Sequence, residues 1–374
     1  MIEVREVNSL RELKAFVRFP LELYKNNNYF VPPCLQDEIT TLRKDKNPVF
    51  ESCTARYWLA YKYNKIVGRI AGIINFMSNQ IWKQKYIRFG WLDFIDDIEV
   101  SKALFQAVED WAKQQELSYI HGPLGFCDLD KEGMLVEGFE ELSMMHSYYN
   151  YPYYPGHLEN LGFAKEADWI EFQITNLSYP HELKMMSLIV QRKLSDFRVL
   201  KIKNKNDILM YKKGIINVIN ASYKNLHSVI PINEKIFFHY FPNLFFFLTK
   251  LDFISIVLDS EDTVAGFGIA VPLLSKVLRQ TKGRLFPFGI FKIIKAFKRN
   301  DSATLLLIGV KPELQAKGIP LLIIDHIITS FLKNGIKTVE VSHMLESNTN
   351  VQRLWKHFNP RQHKRRRSYI KKLN

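Results

Sequence analysis

Apolar and polar positions alternate along this chain at two periods, and the switches between them outline two similar passes. In the first pass, residues 1–7 (MIEVREV) alternate as a strand, and residues 9–25 (SLRELKAFVRFPLELYK) carry apolar side chains at helical spacing. Residues 55–75 (ARYWLAYKYNKIVGRIAGIIN) predict a hairpin, two β-rich runs around Tyr63-Asn64-Lys65. A strand over 89–95 (FGWLDFI), an amphipathic helix over 99–117 and a strand over 118–124 (SYIHGPL) follow. After a polar loop, residues 155–163 (PGHLENLGF) predict a short helix closing on Gly162-Phe163, and residues 167–174 (ADWIEFQI) a last strand.

The second pass starts near Phe197. It predicts a strand over 197–203 (FRVLKIK), a helix over 206–223 capped by Asn206 or Asp207, and a hairpin over 253–271 around Asp259-Ser260-Glu261-Asp262. A strand over 303–310 (ATLLLIGV), a helix over 320–335 ended by Asn334-Gly335 and a strand over 337–345 (KTVEVSHML) come next. A helix over 348–358 and a final strand over 366–373 complete it. Both passes run β-α-β-β-β-α-β-α-β. This repeat predicts an α/β (α+β) chain of two tandem domains, residues 1–178 and 197–374, joined by a partly helical linker over 179–196.

Composition supports that reading. A chain of 374 residues, 47% apolar and 24% charged, is long enough for two domains with real cores. No apolar run reaches the ~18–20 residues of a membrane span; the nearest, 236–258, is interrupted by His239, Pro242, Lys250 and Asp252. The N-terminus does not read as a signal peptide. Cys34, Cys53 and Cys127 show no metal-like spacing and read as free thiols in a reducing cytoplasm, with no metal site.

The net charge of +14 is clustered. Residues 276–299 carry eight Lys or Arg and no acid, and the tail from Arg361 reads RQHKRRRSYIKK. Such clusters imply an anionic partner, whether nucleic acid, acidic lipid or a phosphorylated cofactor, or serve solubility alone. The tail runs into a strand pattern with no nucleic-acid-binding motif beside it, so no sequence-specific nucleic acid is expected. Within the first cluster, Phe288, Ile290, Phe291, Ile294 and Phe297 alternate with Lys292, Lys295 and Lys298 near helical spacing. Three readings fit: an interfacial helix on acidic membrane, a cover over an apolar channel, or a helix packed on the core with snorkelling lysines.

The most specific chemistry lies at Gln315-Ala316-Lys317-Gly318-Ile319-Pro320, between the 303–310 strand and the 320–335 helix. The first N–H groups of a helix lack internal acceptors and sit at the positive end of its dipole, so such a junction can hold a phosphate. Pro320 forfeits one donor but suits a first helical turn. With Asn348, Leu354 and Trp355 in register downstream, Gln315-x-x-Gly318 in this context resembles the GNAT superfamily of acyl-CoA-dependent N-acyltransferases. A narrower resemblance, to a group of tandem bacterial GNAT-like proteins, is carried by VGRIAGIIN, HGPLGFCDLDKEGMLVEGFEE, YNYPYYPGHLENLGF and VEVSHMLESN.

The resemblance implies two GNAT-like domains, each a mixed, mostly antiparallel sheet flanked by helices. It implies acetyl-CoA or a longer acyl-CoA in the second. Gln315, Ala316, Lys317, Gly318 and Ile319 would face the pyrophosphate. The strand edge at Gly309 and Val310 would take the pantetheine arm, and Asn348 would complete the cofactor site. The acceptor would be a small-molecule amine or a peptide, lying between the halves or under the aromatic stretch 237–247. The first domain offers Asp96, Asp97 and Glu99 where a phosphate would sit, which makes it a domain without a CoA loop. A tyrosine usually protonates the leaving thiolate; here Trp355 stands there, with Leu158 at the first half's counterpart. His343 and Glu346 are the catalytic candidates, with Tyr149, Tyr153 and Tyr154 as further phenols. The alternative is a non-catalytic binding or scaffold protein on the same frame.

Overall fold

The computed structural model describes residues 1–241 and 249–373. The chain forms two compact units. The first comprises residues 1–169, 275–290 and 364–374, the second residues 170–274 and 291–363. Its strands are β1 (Glu3–Glu6), β2 (Cys53–Lys62), β3 (Lys65–Asn75), β4 (Tyr86–Phe94), β5 (Tyr119–Gly122), β6 (Met134–Glu137), β7 (Ala164–Ile174), β8 (Arg198–Val199), β9 (Ile254–Leu258), β10 (Val264–Pro272), β11 (Ser302–Val310), β12 (Thr338–Leu345) and β13 (Arg361–Lys372).

In the first unit the strand order is β1-β2-β3-β4-β5-β13, with β6 also on β13. All these neighbours are antiparallel except β4 and β5. The β2–β3 turn places Tyr63 and Asn64 at φ 50° and 58°, the left-handed pair that matches the twist of a two-residue hairpin. Alternation along β3 sends Ile70 and Ile74 to one face and Ala71 and Ile73 to the other. Helix Ile98–Gln114 covers the first face with Val100, Leu104, Phe105, Val108 and Trp111. Helix Leu10–Leu23, opened by a Ser9–Glu12 capping box, covers the second with Leu13, Phe16 and Val17.

The second unit repeats the theme in the order β7-β12-β11-β10-β9-β8. β8 through β11 are antiparallel, and β11 runs parallel to β12. Helix Ile319–Lys333 buries residues around most of its circumference, because it lies between the sheet and helix His181–Lys193.

Several local expectations changed. The helix expected over 206–223 breaks at Tyr211 into Lys205–Met210 and Lys212–Tyr223, and its cap is Asn204, with Asp207 closing a capping box. The strand expected over 197–203 shrinks to Arg198–Val199. Residues 242–247 of the aromatic stretch proposed over the acceptor lie outside the described residues. Among the described residues, no helix is long and apolar enough to cross a membrane.

Candidate active site

The site begins where β11 and β12 part. They pair from Ser302↔Thr338 to Leu305↔Val341 and no further, although β11 runs on to Val310 and β12 to Leu345. The cause is local. Against β10, the register slips so that Ile269 faces Leu307 and Ala270 faces Leu305, which leaves Leu306 as an extra residue. Such a bulge increases twist and turns a strand away from its neighbour. Leu306, Leu307 and Ile308 are consequently only half-buried. Gly309 and Val310 at the strand's end are buried, and the Ile308 carbonyl accepts from Tyr223 Oη at 2.9 Å.

Beyond β11 comes the predicted loop. Pro312–Lys317 form a 3-10 turn, and Gly318 stands in the left-handed region at φ 95° as N-cap of the fifteen-residue helix Ile319–Lys333. No side chain caps that helix, Pro320 occupies its first turn, and Gln315, Ala316 and Lys317 are exposed beside it. Gln315 Nε2 donates to the Val310 carbonyl at 3.3 Å and so ties the loop to the strand end.

Gly318 is required by the packing around it. A Cβ there would sit 2.9 Å from Val190 Cγ1 of helix His181–Lys193. Gly318→Ala is expected to cost about 2–4 kcal/mol, combining left-handed strain with overpacking. Val190→Ala in the same chain should recover only the packing share. Urea unfolding of the single and double variants would separate the two. Full recovery in the double variant would show that φ carries no cost.

The half of β12 that has left β11 carries His343. Its Nδ1 is 4.0 Å from Glu171 Oε1 on β7 and 3.5 Å from Ser342 Oγ. Glu171 is fully buried. Next to it, Gln173 Nε2 donates to Glu340 Oε1 at 2.8 Å, and His363 Nε2 lies 2.8 Å from Glu340 Oε2. Glu171, Glu340 and His363 were not singled out from the sequence. The available signal was a carboxylate inside the otherwise apolar strand runs of ADWIEFQI and KTVEVSHML.

Glu346 lies past the strand end and is exposed, and Gln352 Nε2 donates to its carbonyl at 2.9 Å. Asn348 begins helix Thr349–Trp355 without a side-chain capping bond. Trp355 is fully buried, with no hydrogen-bond partner for Nε1 among the described residues.

The first unit has the same device, but filled. β4 and β5 pair only from Tyr86↔Tyr119 to Arg88↔His121, and β4 slips register against β3 between Asp93 and Gly90. The freed groups of β4 are then taken by the unit's own chain. Leu124 N–H donates to the Phe89 carbonyl at 2.8 Å, Trp91 N–H to Tyr148 Oη at 3.1 Å, and Phe94 N–H to Tyr154 Oη at 2.9 Å. Tyr153 Oη donates to the Phe94 carbonyl at 2.5 Å. At the helix that follows, Asp97 caps with its own carboxylate, accepting from Glu99 N–H at 3.1 Å, and pairs with Lys62 at 2.7 Å.

The candidate phenols are thus engaged within their unit. Tyr149 Oη accepts from Asn27 and donates to the Phe139 carbonyl. Burial, with Asp93 adding to it, lifts Tyr154 well above the ordinary tyrosine range.

No family model matches the chain. It is 28% identical over 378 residues to Protein YghO of Escherichia coli (strain K12), spanning 99% of this chain and 95% of that protein. It is 23% identical over 379 residues to a bacterial ceramide synthase of Caulobacter vibrioides (strain NA1000 / CB15N), spanning 100% and 98%. Among solved structures it superposes on a tandem GNAT protein from the clavulanic acid biosynthesis pathway with a TM-score of 0.55 at 10% identity, covering 100% of this chain and 99% of that one. Two passes of one element order, each with a bulged strand diverging from a parallel neighbour ahead of a helix, thus resolve into one architecture: this chain has the tandem GNAT fold.

Proposed function

We propose that this protein is an acyl-CoA-dependent N-acyltransferase, working through its second unit on the amine of a long-chain amino alcohol. The observation that carries the reading is the divergence of β11 from β12, which leads into the uncapped N-terminus of helix Ile319–Lys333. A half-exposed strand edge accepts an extended, amide-bearing arm by main-chain pairing. The helix N-terminus offers N–H groups to a pyrophosphate, with Lys317 as a nearby cation. Support for the acceptor class comes from the relative named a ceramide synthase, since a ceramide is the N-acyl amide of a long-chain amino alcohol.

In this reading His343 takes a proton from the acceptor ammonium, with the buried Glu171 carboxyl 4.0 Å from its imidazole. The free amine attacks the thioester carbonyl. The tetrahedral adduct collapses to amide and thiolate as its nitrogen gives up a second proton; one of the two protons goes to the departing sulfur and the other to solvent, His343 relaying the first. Glu346, exposed just past the end of β12, would attract the ammonium. The first unit, with its β4 edge filled and its helix capped by Asp97, serves as scaffold and does not take CoA.

Isothermal titration with CoA, acetyl-CoA and palmitoyl-CoA tests the reading. Saturable binding at one site is expected, followed by CoA release when a long-chain 2-amino-1,3-diol is added. No binding at millimolar ligand would sink it. Binding without release from any amine would favour the alternative, a non-catalytic binding protein, for which Trp355 in place of a phenol is the specific observation.

A further inference from the structure

The basic aromatic segment before β11 is only partly the packed helix that its sequence allows. Helix Gly289–Lys298 buries Ile293 and Phe297, which lie on one side of it. Phe291, Lys292, Lys295 and Lys298 stand at i, i+1, i+4 and i+7 and form one outward stripe, which Arg299 continues. Ahead of the helix, Phe286 and Phe288 point their bulk into solvent. Phe286, Phe288 and Phe291 are 76%, 73% and 68% exposed, where a phenyl ring normally finds cover. Exposed Lys282 and Arg284 precede them, and no acid occurs from 276 to 299.

We propose that this segment docks the protein onto an anionic lipid bilayer, with the three phenylalanines entering the interface and the stripe of cations lying over the headgroups. Charge complementarity and apolar exposure coincide on one short stretch, and a bilayer surface satisfies both at once. A polyanion without apolar or stacking groups would engage the cations and leave the rings in water. The mode differs from a helix that lays its whole apolar face in the membrane, because Ile293 and Phe297 are already committed to the protein. The inference does not depend on acyl transfer. It does place a lipid surface where an amphiphilic acceptor would reside.

The test uses the full chain without acyl-CoA, sedimented with vesicles of phosphatidylcholine alone or with 30 mol% phosphatidylglycerol. Strong pelleting is expected only with the anionic vesicles and should fade at 0.5 M NaCl. Lys292→Glu/Lys295→Glu/Lys298→Glu should weaken it by about 100-fold or more. Phe286→Ser/Phe288→Ser/Phe291→Ser should weaken it by at least about 10-fold. All six side chains are exposed, so melting curves should match the parent, and CoA titration should be unchanged in both variants. Equal pelleting on neutral vesicles would overturn the proposal. So would indifference to the phenylalanine changes, or phenylalanine-dependent binding to a single-stranded oligonucleotide in place of vesicles.

Discussion

Changing His343 to glutamine is expected to slow acyl transfer to a long-chain 2-amino-1,3-diol by about 10²–10⁴-fold while leaving acyl-CoA affinity intact. Glutamine keeps the polarity and approximate length but cannot shuttle the proton. His343 sits on the part of β12 that has separated from β11, so its loss removes the proposed base without touching the edge proposed for the pantetheine arm. Glu171→Gln should reduce turnover less, because the imidazole keeps its place on β12 and loses only a buried neighbour 4.0 Å away. A purely structural role for Glu171 would lower the melting temperature and leave turnover of the folded protein unchanged. A His343→Gln rate within about threefold of the parent would remove His343 from the mechanism and turn attention to Glu346.

Asp93→Asn is expected to destabilise the first unit by about 3–5 kcal/mol, as breaking one side of a buried ion pair does. Asp93 and Arg69 face each other across β3 and β4, and both are buried. Arg69 donates to Asp93 Oδ2 at 2.7 Å and to the Phe16 carbonyl at 2.9 Å. Tyr24 Oη donates to Asp93 Oδ1 at 2.8 Å and lies 3.0 Å from Tyr154 Oη, which accepts the Phe94 N–H. Asp93 is thus linked through Tyr24 to Tyr154, one of the side chains that fill the β4 edge. Replacing both ion partners, as Arg69→Met with Asp93→Leu, should recover much of the loss, since no unpaired charge is left buried. Urea unfolding followed by tryptophan fluorescence measures each case. A loss under about 1 kcal/mol in Asp93→Asn would show that water or another acceptor satisfies Arg69.

Much of the fold was legible because it is written in local periodicity. The β2–β3 hairpin, helix Ile98–Gln114 and helix Ile319–Lys333 all follow from spacing that a single element imposes. The elements that shifted depend on less local causes. β8 is a short edge strand that pairs only through Arg198 and Val199, so an apolar run alone could not set its length. In the site, the Gln315–Gly318 loop was visible as a strand–glycine–helix junction, whereas Glu171 was not. A lone carboxylate in a strand looks the same whether it meets a histidine, an arginine or solvent.

By itself, the sequence determined the repeated element order, the one junction built like a phosphate-binding loop, the acidic counterpart in the first half, and the excess of cations over 276–299. These are properties of neighbours along the chain, and local backbone preference and charge suffice to read them. Only the tertiary structure decided which diverging strand edge is filled and which is left half-exposed. It also decided that Val190 closes on Gly318, that His343 meets Glu171, and that Phe291 faces outward while Phe297 faces in. Periodicity records that a side chain needs cover. What covers it is set by contacts between distant segments, and a bulge of one residue, as at Leu306, is enough to change which groups remain available.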